Sequence, residues 1–284
     1  MEILMTNNGL QLTSPTTTLT LDPKKNVSGA ILVSHLYPEL FELLDSLKKQ
    51  TVYLNLDLLL YLQKYYRFLD KNLPDLNFVA LPLGYDFKLA NMTITAFNSD
   101  DGAFGSLVCL IQTDNQTIGY APYFNPQGQH KKRIKLWKKA FSQANLDYFY
   151  LNKTLVATND QFNRLTETGR QKQLSKYLQH LEDNQVAQIY LSYENPERII
   201  TFRKTALEAG FNLALDTATV AFLKGIFPFE DLTKVSDKRE LKMLTKPNTD
   251  CFDASVSLAS QAFMSTKEAK EFFNVINAKE VKYL

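Results

Sequence analysis

The chain has 284 residues, 45% of them hydrophobic and 22% charged, and its 32 Lys and Arg against 30 Asp and Glu leave a formal charge of +2. These values describe a globular protein of one large domain or two ordinary ones and exclude disordered and collagen-like chains. No apolar run reaches the roughly 18 residues of a membrane span, and the opening residues lack the basic start and apolar stretch of a secretory leader; the expectation is a cytoplasmic protein with no membrane partner.

In chain order, Leu10–Leu21 alternates Thr and Leu as a half-buried strand does, then turns at Asp22-Pro23 before a short strand at Ala30–Ser34. Pro38 stands where a first helical residue belongs, and Leu40, Phe41, Leu43, Leu44 and Leu47 follow at helical spacing. Val52–Leu54 reads as the next strand, and Asn55 as the cap of a helix running to about Leu69. Strands are expected at Phe78–Leu81, Met92–Phe97, Ser106–Gln112 and Thr117–Ala121, the last two joined by a hairpin turn at Thr113-Asp114-Asn115-Gln116. Helix returns over Gln129–Ala144, followed by an aromatic strand at Tyr148–Leu151 and a polar helix from Gln161 to Leu181. A β-α-β-α unit comes next: strand Val186–Leu191, a helix opened by Pro196 and ended at Gly210, strand Phe211–Leu215, and a helix start at Thr217–Lys224. This alternation sets the class as α/β with a boundary near residue 155, and the remaining residues show no clear pattern.

Five segments carry a resemblance. His35-Leu36-Tyr37-Pro38-Glu39-Leu40, with the strand before it, resembles the strand and loop where metallo-β-lactamase-fold hydrolases place the zinc-ligand pattern His-x-His-x-Asp-His. His35 holds the first position, while Tyr37, Glu39 and Leu40 stand at the second His, the Asp and the last His. Asp101-Gly102-Ala103-Phe104-Gly105-Ser106 is similar to the family segment that opens on another ligand His, with Asp101 in its place. Thr117–Tyr123 is similar to the strand ending in Thr-Gly-Asp, and Tyr123 takes the position of the metal-bridging Asp. Asp147–Thr154 looks like the strand leading to Glu-Gly-Thr in RNA-processing members, with Asn152 at the acid. Ala187–Arg198 and Ala209–Thr219 resemble the β-CASP domain of ribonuclease J-like nucleases. The order and spacing of these segments, over about residues 8–224, carry the similarity.

The resemblance implies a metallo-β-lactamase-like αββα sandwich over residues 1–155, followed by a partial, truncated β-CASP-like α/β lobe over residues 156–284. Because most ligand positions carry other residues, it implies a non-catalytic subunit of RNA metabolism, with RNA or a protein such as an active homologue as partner. Hydrolysis in this family needs several His and Asp ligands that hold zinc with an open position. His35, Glu39 and Asp101 are the remaining candidates for a mononuclear zinc or manganese site in an altered phosphodiester hydrolase. Otherwise no cofactor is expected, and the three read as a loop histidine, an acid in a first helical turn and a turn residue. Tyr37, Leu40 and Tyr123 are expected to fill the position that the ligands have left.

Between His130 and Lys139 stand six basic residues, Lys131, Lys132, Arg133, Lys135, Lys138 and Lys139, around Trp137. Such a stripe can neutralise RNA phosphates; equally, it is the solvated face of a helix whose Ile134, Trp137 and Phe141 pack inward. Ser34 and His35 are expected to point apart, as neighbours on a strand do. Cys109 and Cys251 lie far apart, which excludes a disulfide framework or a CxxC zinc site.

Overall fold

The computed structural model describes residues 2–156, 166–182, 185–245, 252–253 and 264–284. Cys251 and the start of the helix expected from Gln161 lie outside them. The chain divides into two units, one of Met1–Leu60, Leu73–Asn163 and Leu258–Leu284, the other of Tyr61–Asn72 and Arg164–Ser257.

The first unit contains two six-stranded sheets. One takes its strands in chain order: β1 (Glu2–Thr6), β2 (Gly9–Thr13), β3 (Thr18–Leu21), β4 (Ala30–Leu32), β5 (Thr51–Leu54) and β6 (Asn77–Ala80). The pairs from β1 to β3 are antiparallel and those from β3 to β6 parallel. Parallel neighbours need crossovers, and helices α1 (Leu40–Ser46) and α2 (Leu56–Phe68) supply those from β4 to β5 and from β5 to β6. The single strand expected over Leu10–Leu21 is a hairpin instead. Pro15 has no N–H for a ladder, and the chain turns there with the Ser14 N–H donating to Thr17 O at 2.8 Å.

The second sheet runs through β7 (Asp86–Leu89), β8 (Met92–Asn98), β9 (Leu107–Gln112) and β10 (Thr117–Tyr120), then crosses through α3 (Lys131–Gln143) to β11 (Tyr148–Leu151). Strand alternation divides its side chains. Ile94, Ala96, Cys109, Ile111 and Tyr120 share one core with Leu10, Leu12, Leu19, Leu21 and Leu32 of the first sheet. Phe97 and Phe149 each stand 6.2 Å from Phe141 of α3.

In the second unit, α4 (Glu167–Gln179), β12 (Ala187–Tyr190), α5 (Pro196–Glu208), β13 (Phe211–Ala214), α6 (Thr217–Ile226), β14 (Arg239–Leu244) and β15 (Phe252–Asp253) build a parallel sheet in the order β13-β14-β12-β15. Buried Arg198 of α5 donates to both carboxylate oxygens of buried Glu167, at 2.5 and 2.9 Å. This satisfies both charges with a bidentate pair.

The chain then returns to the first unit as α7 (Thr266–Ile276) and β16 (Glu280–Tyr283). The expected division at residues 155/156 is therefore redrawn. β16 extends the second sheet beside β11, from Tyr148↔Glu280 to Leu151↔Tyr283, and Phe272 of α7 stacks on Phe124 at 5.0 Å.

Gly105 ties the loop after β8 to α2. Its φ is +79°, and a Cβ there would lie 2.5 Å from Leu58 N. Gly105→Ala is expected to cost about 2 kcal/mol or more, read as a lower urea midpoint with an unchanged slope; a wild-type midpoint contradicts this packing.

Candidate functional site

The residues singled out by the resemblance gather at the carboxyl ends of strands. His35 follows β4, Asp101 follows β8, Tyr123 follows β10 and Asn152 follows β11, and Asp22, which follows β3, joins them although the resemblance does not include it. Loops at this end of α/β sheets are where such folds place function.

Asp22 is the centre of the cluster. Its N–H donates to Leu32 O at 2.8 Å, which continues the ladder between β3 and β4, and its backbone then adopts φ 46° directly before Pro23. A left-handed conformation outside glycine is a local strain that the surroundings must enforce. The Asp22 carboxylate accepts from the Ser34 N–H at 2.7 Å, from the Ser34 hydroxyl, and from the Tyr120 hydroxyl at 2.7 Å; His35 Nδ1 lies 3.5 Å from Oδ2. Asp22 and Tyr120 are 98 positions apart in sequence, so this bond joins the two sheets.

Ser34 and His35 do not point apart. β4 ends at Leu32, the alternation of the strand stops with it, and Ser34 Oγ lies 2.9 Å from His35 Nδ1. The arrangement is still no nucleophilic relay. Such a relay places serine and carboxylate on opposite ring nitrogens, whereas here both face Nδ1.

Two tyrosines cover the histidine. The ring of Tyr123 is 4.8 Å and that of Tyr37 5.4 Å from the His35 ring, both tilted. Tyr37 is fastened by its hydroxyl to Pro23 O at 2.8 Å, and Tyr123 OH accepts from Asn152 Nδ2. Leu40 is fully buried on the inner face of α1 with Leu43 and Leu44, and Glu39 is exposed at the N-terminus of that helix. Asp101 is fully buried; its Oδ1 accepts from the Ala103 N–H at 2.9 Å and its Oδ2 has no hydrogen-bond partner.

Burial opposes charge on every group of this cluster, and the partners decide the outcome. For Asp22 the attraction of His35 and the hydrogen bonds outweigh burial and hold its carboxyl below the ordinary range. For His35 burial is again the largest influence, but the carboxylate of Asp22 prevails and raises the imidazole. Asp101 lacks such support: burial pushes its carboxyl up to about 6 against the pull of His35.

A zinc or manganese hydrolase centre takes three or four converging ligands. Among the described residues no group of three or more His, Cys, Asp and Glu side chains is placed to hold a metal ion. Asp22 has its carboxylate oxygens engaged, Glu39 is exposed, and Asp101 offers one open oxygen. The residues present do not fit such a centre.

The basic residues lie on α3. Ile134, Trp137 and Phe141 are buried along one side of it. Arg133 turns back to Ser99 O at 3.4 Å, and Lys138 lies 4.5 Å over the Phe272 ring, where burial lowers its pKa. Lys131, Lys132, Lys135 and Lys139 are exposed. Lys131, Lys135 and Lys139 recur every fourth residue and form one stripe, with about 6 Å of rise per step.

Sequence reasoning placed Asp22 in a turn and Tyr120 in a strand without assigning either to the site. The Asp-Pro pair at a strand end was the available signal; nothing local reveals a partner 98 positions away.

No family model matches the sequence, and no curated protein matches it significantly. Among solved structures, a protein of unknown function from Enterococcus faecalis V583 aligns with 14% identity over 90% of this chain and 68% of its own, with a TM-score of 0.61. At that identity the likeness is one of fold. Metallo-β-lactamase-fold proteins are also among the structural neighbours. YhfI from Bacillus subtilis aligns at 12% identity over 83% of this chain and 88% of its own, TM-score 0.37, and Zn2+-bound PqqB from Methylobacterium extorquens at 14% over 73% and 84%, TM-score 0.38.

The shifts predict how stability depends on pH. The lowered carboxyl of Asp22 contributes above its unfolded value of 3.8, and the contribution is lost as pH falls through its folded value. The raised imidazole of His35 contributes fully below 6.5 and loses that contribution as pH rises through its folded value, while Asp101, raised to about 6, withdraws stability at lower pH, between its unfolded 3.8 and its folded value. Denaturant stability should be greatest near about pH 4 and fall in two steps toward about pH 8, with a smaller decline above about pH 6.5 in His35→Gln. A profile rising from pH 6 to pH 8 contradicts this assignment.

Proposed function

We propose that the chain is a metallo-β-lactamase-fold relative of the ribonuclease J-like, β-CASP RNA-processing hydrolases that binds RNA without cleaving it, as a non-catalytic subunit. The observation that carries the reading is the exposed lysine stripe of α3, on a helix whose apolar side is already buried in the fold. With Ile134, Trp137 and Phe141 inside, the outer face has charge but no exposed aromatic to stack on bases, so it suits phosphates rather than sequence. The segment order described above supports the RNA-processing lineage, and the parallel sheet of the second unit is compatible with a β-CASP-like lobe. The unsuitable donor set around His35 supports the non-catalytic part, in which neither zinc nor manganese is required.

Fluorescence anisotropy of a labelled single-stranded RNA across a salt series tests this reading. Affinity should be weak and sequence-tolerant, and should fall as salt rises with a log–log slope of about 0.7 per phosphate contact. Reversing Lys131, Lys132 and Lys135 to Glu should weaken binding to all RNAs alike and flatten the slope by about 2 units, with the circular dichroism spectrum unchanged. Absence of RNA affinity at about 50 mM salt, or an unchanged slope in the triple variant, removes the RNA reading. RNA cleavage that needs Zn2+ or Mn2+ and is lost in His35→Ala would restore the hydrolase.

A further inference from the structure

We propose that Asp22, Ser34, His35 and Tyr120 form a metal-independent clasp that joins the two sheets of the first unit at the position where the resemblance sets a metal centre. It goes beyond the reading of α3 and shares with it only the unsuitable donor set. The geometry is that of a closed site. Four groups face the Asp22 carboxylate: three hydrogen-bond donors, the Ser34 N–H, the Ser34 hydroxyl and the Tyr120 hydroxyl, and, 3.5 Å from Oδ2, His35 Nδ1 as the ion-pair partner. Three of those come from the chain after β4 and one from β10, so the carboxylate of the first sheet is held by a hydroxyl of the second. The His35 ring, with one nitrogen committed, has Tyr37 and Tyr123 against it, and each tyrosine is fastened by its own hydrogen bond, to Pro23 O and from Asn152. A cation entering here would have to break the Asp22 bonds, and the cluster would offer it only the second His35 nitrogen and the open oxygen of Asp101, fewer than the three or four ligands such a centre takes. The left-handed backbone at Asp22 fits the same purpose, since strain of that kind persists only where the surroundings over-determine it.

The test uses the full chain, purified without chelators. Metal analysis should find less than about 0.1 equivalent of zinc or manganese, and the melting temperature should move by less than about 1 °C on adding EDTA, Zn2+ or Mn2+. Tyr120→Phe, which keeps the ring and removes the donor to Asp22, should lower the melting temperature by roughly 3–8 °C. Asp22→Asn should lower it further or prevent folding, so the decision rests on Tyr120→Phe and on the wild-type metal series. A rise of several degrees with Zn2+ or Mn2+ that disappears in His35→Ala overturns metal independence. A wild-type melting temperature in Tyr120→Phe overturns the clasp. RNA affinity of Tyr120→Phe should equal that of the wild type, so the two proposals fail separately.

Discussion

Asp22 lies at the end of β3, where burial by itself would keep its carboxyl protonated, and it carries charge because Ser34, Tyr120 and His35 surround it with donors and a compensating imidazole. Much of the site follows from satisfying that one charge. The loop after β4 has to present both the backbone and the hydroxyl of Ser34. The end of β10 has to bring Tyr120 across from the other sheet. His35 has to turn Nδ1 inward, which commits its ring plane and lets Tyr37 and Tyr123 pack on it. Hydrogen bonds to an ionised group contribute about 1.5–3 kcal/mol each, and removing one partner of a buried pair costs about 3–5 kcal/mol because the other charge is left stranded.

Asp101, whose charge also acts on His35, shows the alternative outcome. It is fully buried where Asp22 keeps slight exposure, its second oxygen finds no donor, and its carboxyl is pushed up to about 6. Two carboxylates of one cluster thus divide by their partners, Asp22 held ionised and Asp101 driven toward the neutral form. That division depends on which loop reaches which strand end, and it sets the electrostatics of the cluster around His35.

Helix α3 illustrates how one segment serves packing and surface together. Its buried Trp137 and Phe141 meet Phe97, Phe124 and Phe149, and Phe272 from the returning α7 completes the aromatic layer. Lys138 has an apolar stem long enough to lie across Phe272, and Arg133 turns back to a carbonyl, so both are drawn out of the charged face. What is left outside is the stripe of Lys131, Lys135 and Lys139, with Lys132 beside it.

Sequence periodicity by itself determined the α/β class, most helices and strands of the first 226 residues, the cap of α2 at Asn55, where the Leu58 N–H donates at 2.6 Å, and the inward face of α3. These are local properties: they depend on spacing within a few turns or on one capping side chain. The hairpin at Pro15, the strand β7 and the returning α7 and β16 escaped it, because short segments take their state from the neighbour they pair with. The site divided in the same way. His35, Tyr37, Tyr123 and Asn152 stood out by position along the chain, but that His35 and Ser34 share a partner, that the partner is Asp22, and that Tyr120 closes it from 98 positions away were decided only when two sheets packed face to face. A carboxylate's charge state depends on the donors that surround it after folding, and no pattern along the chain records which donors those are.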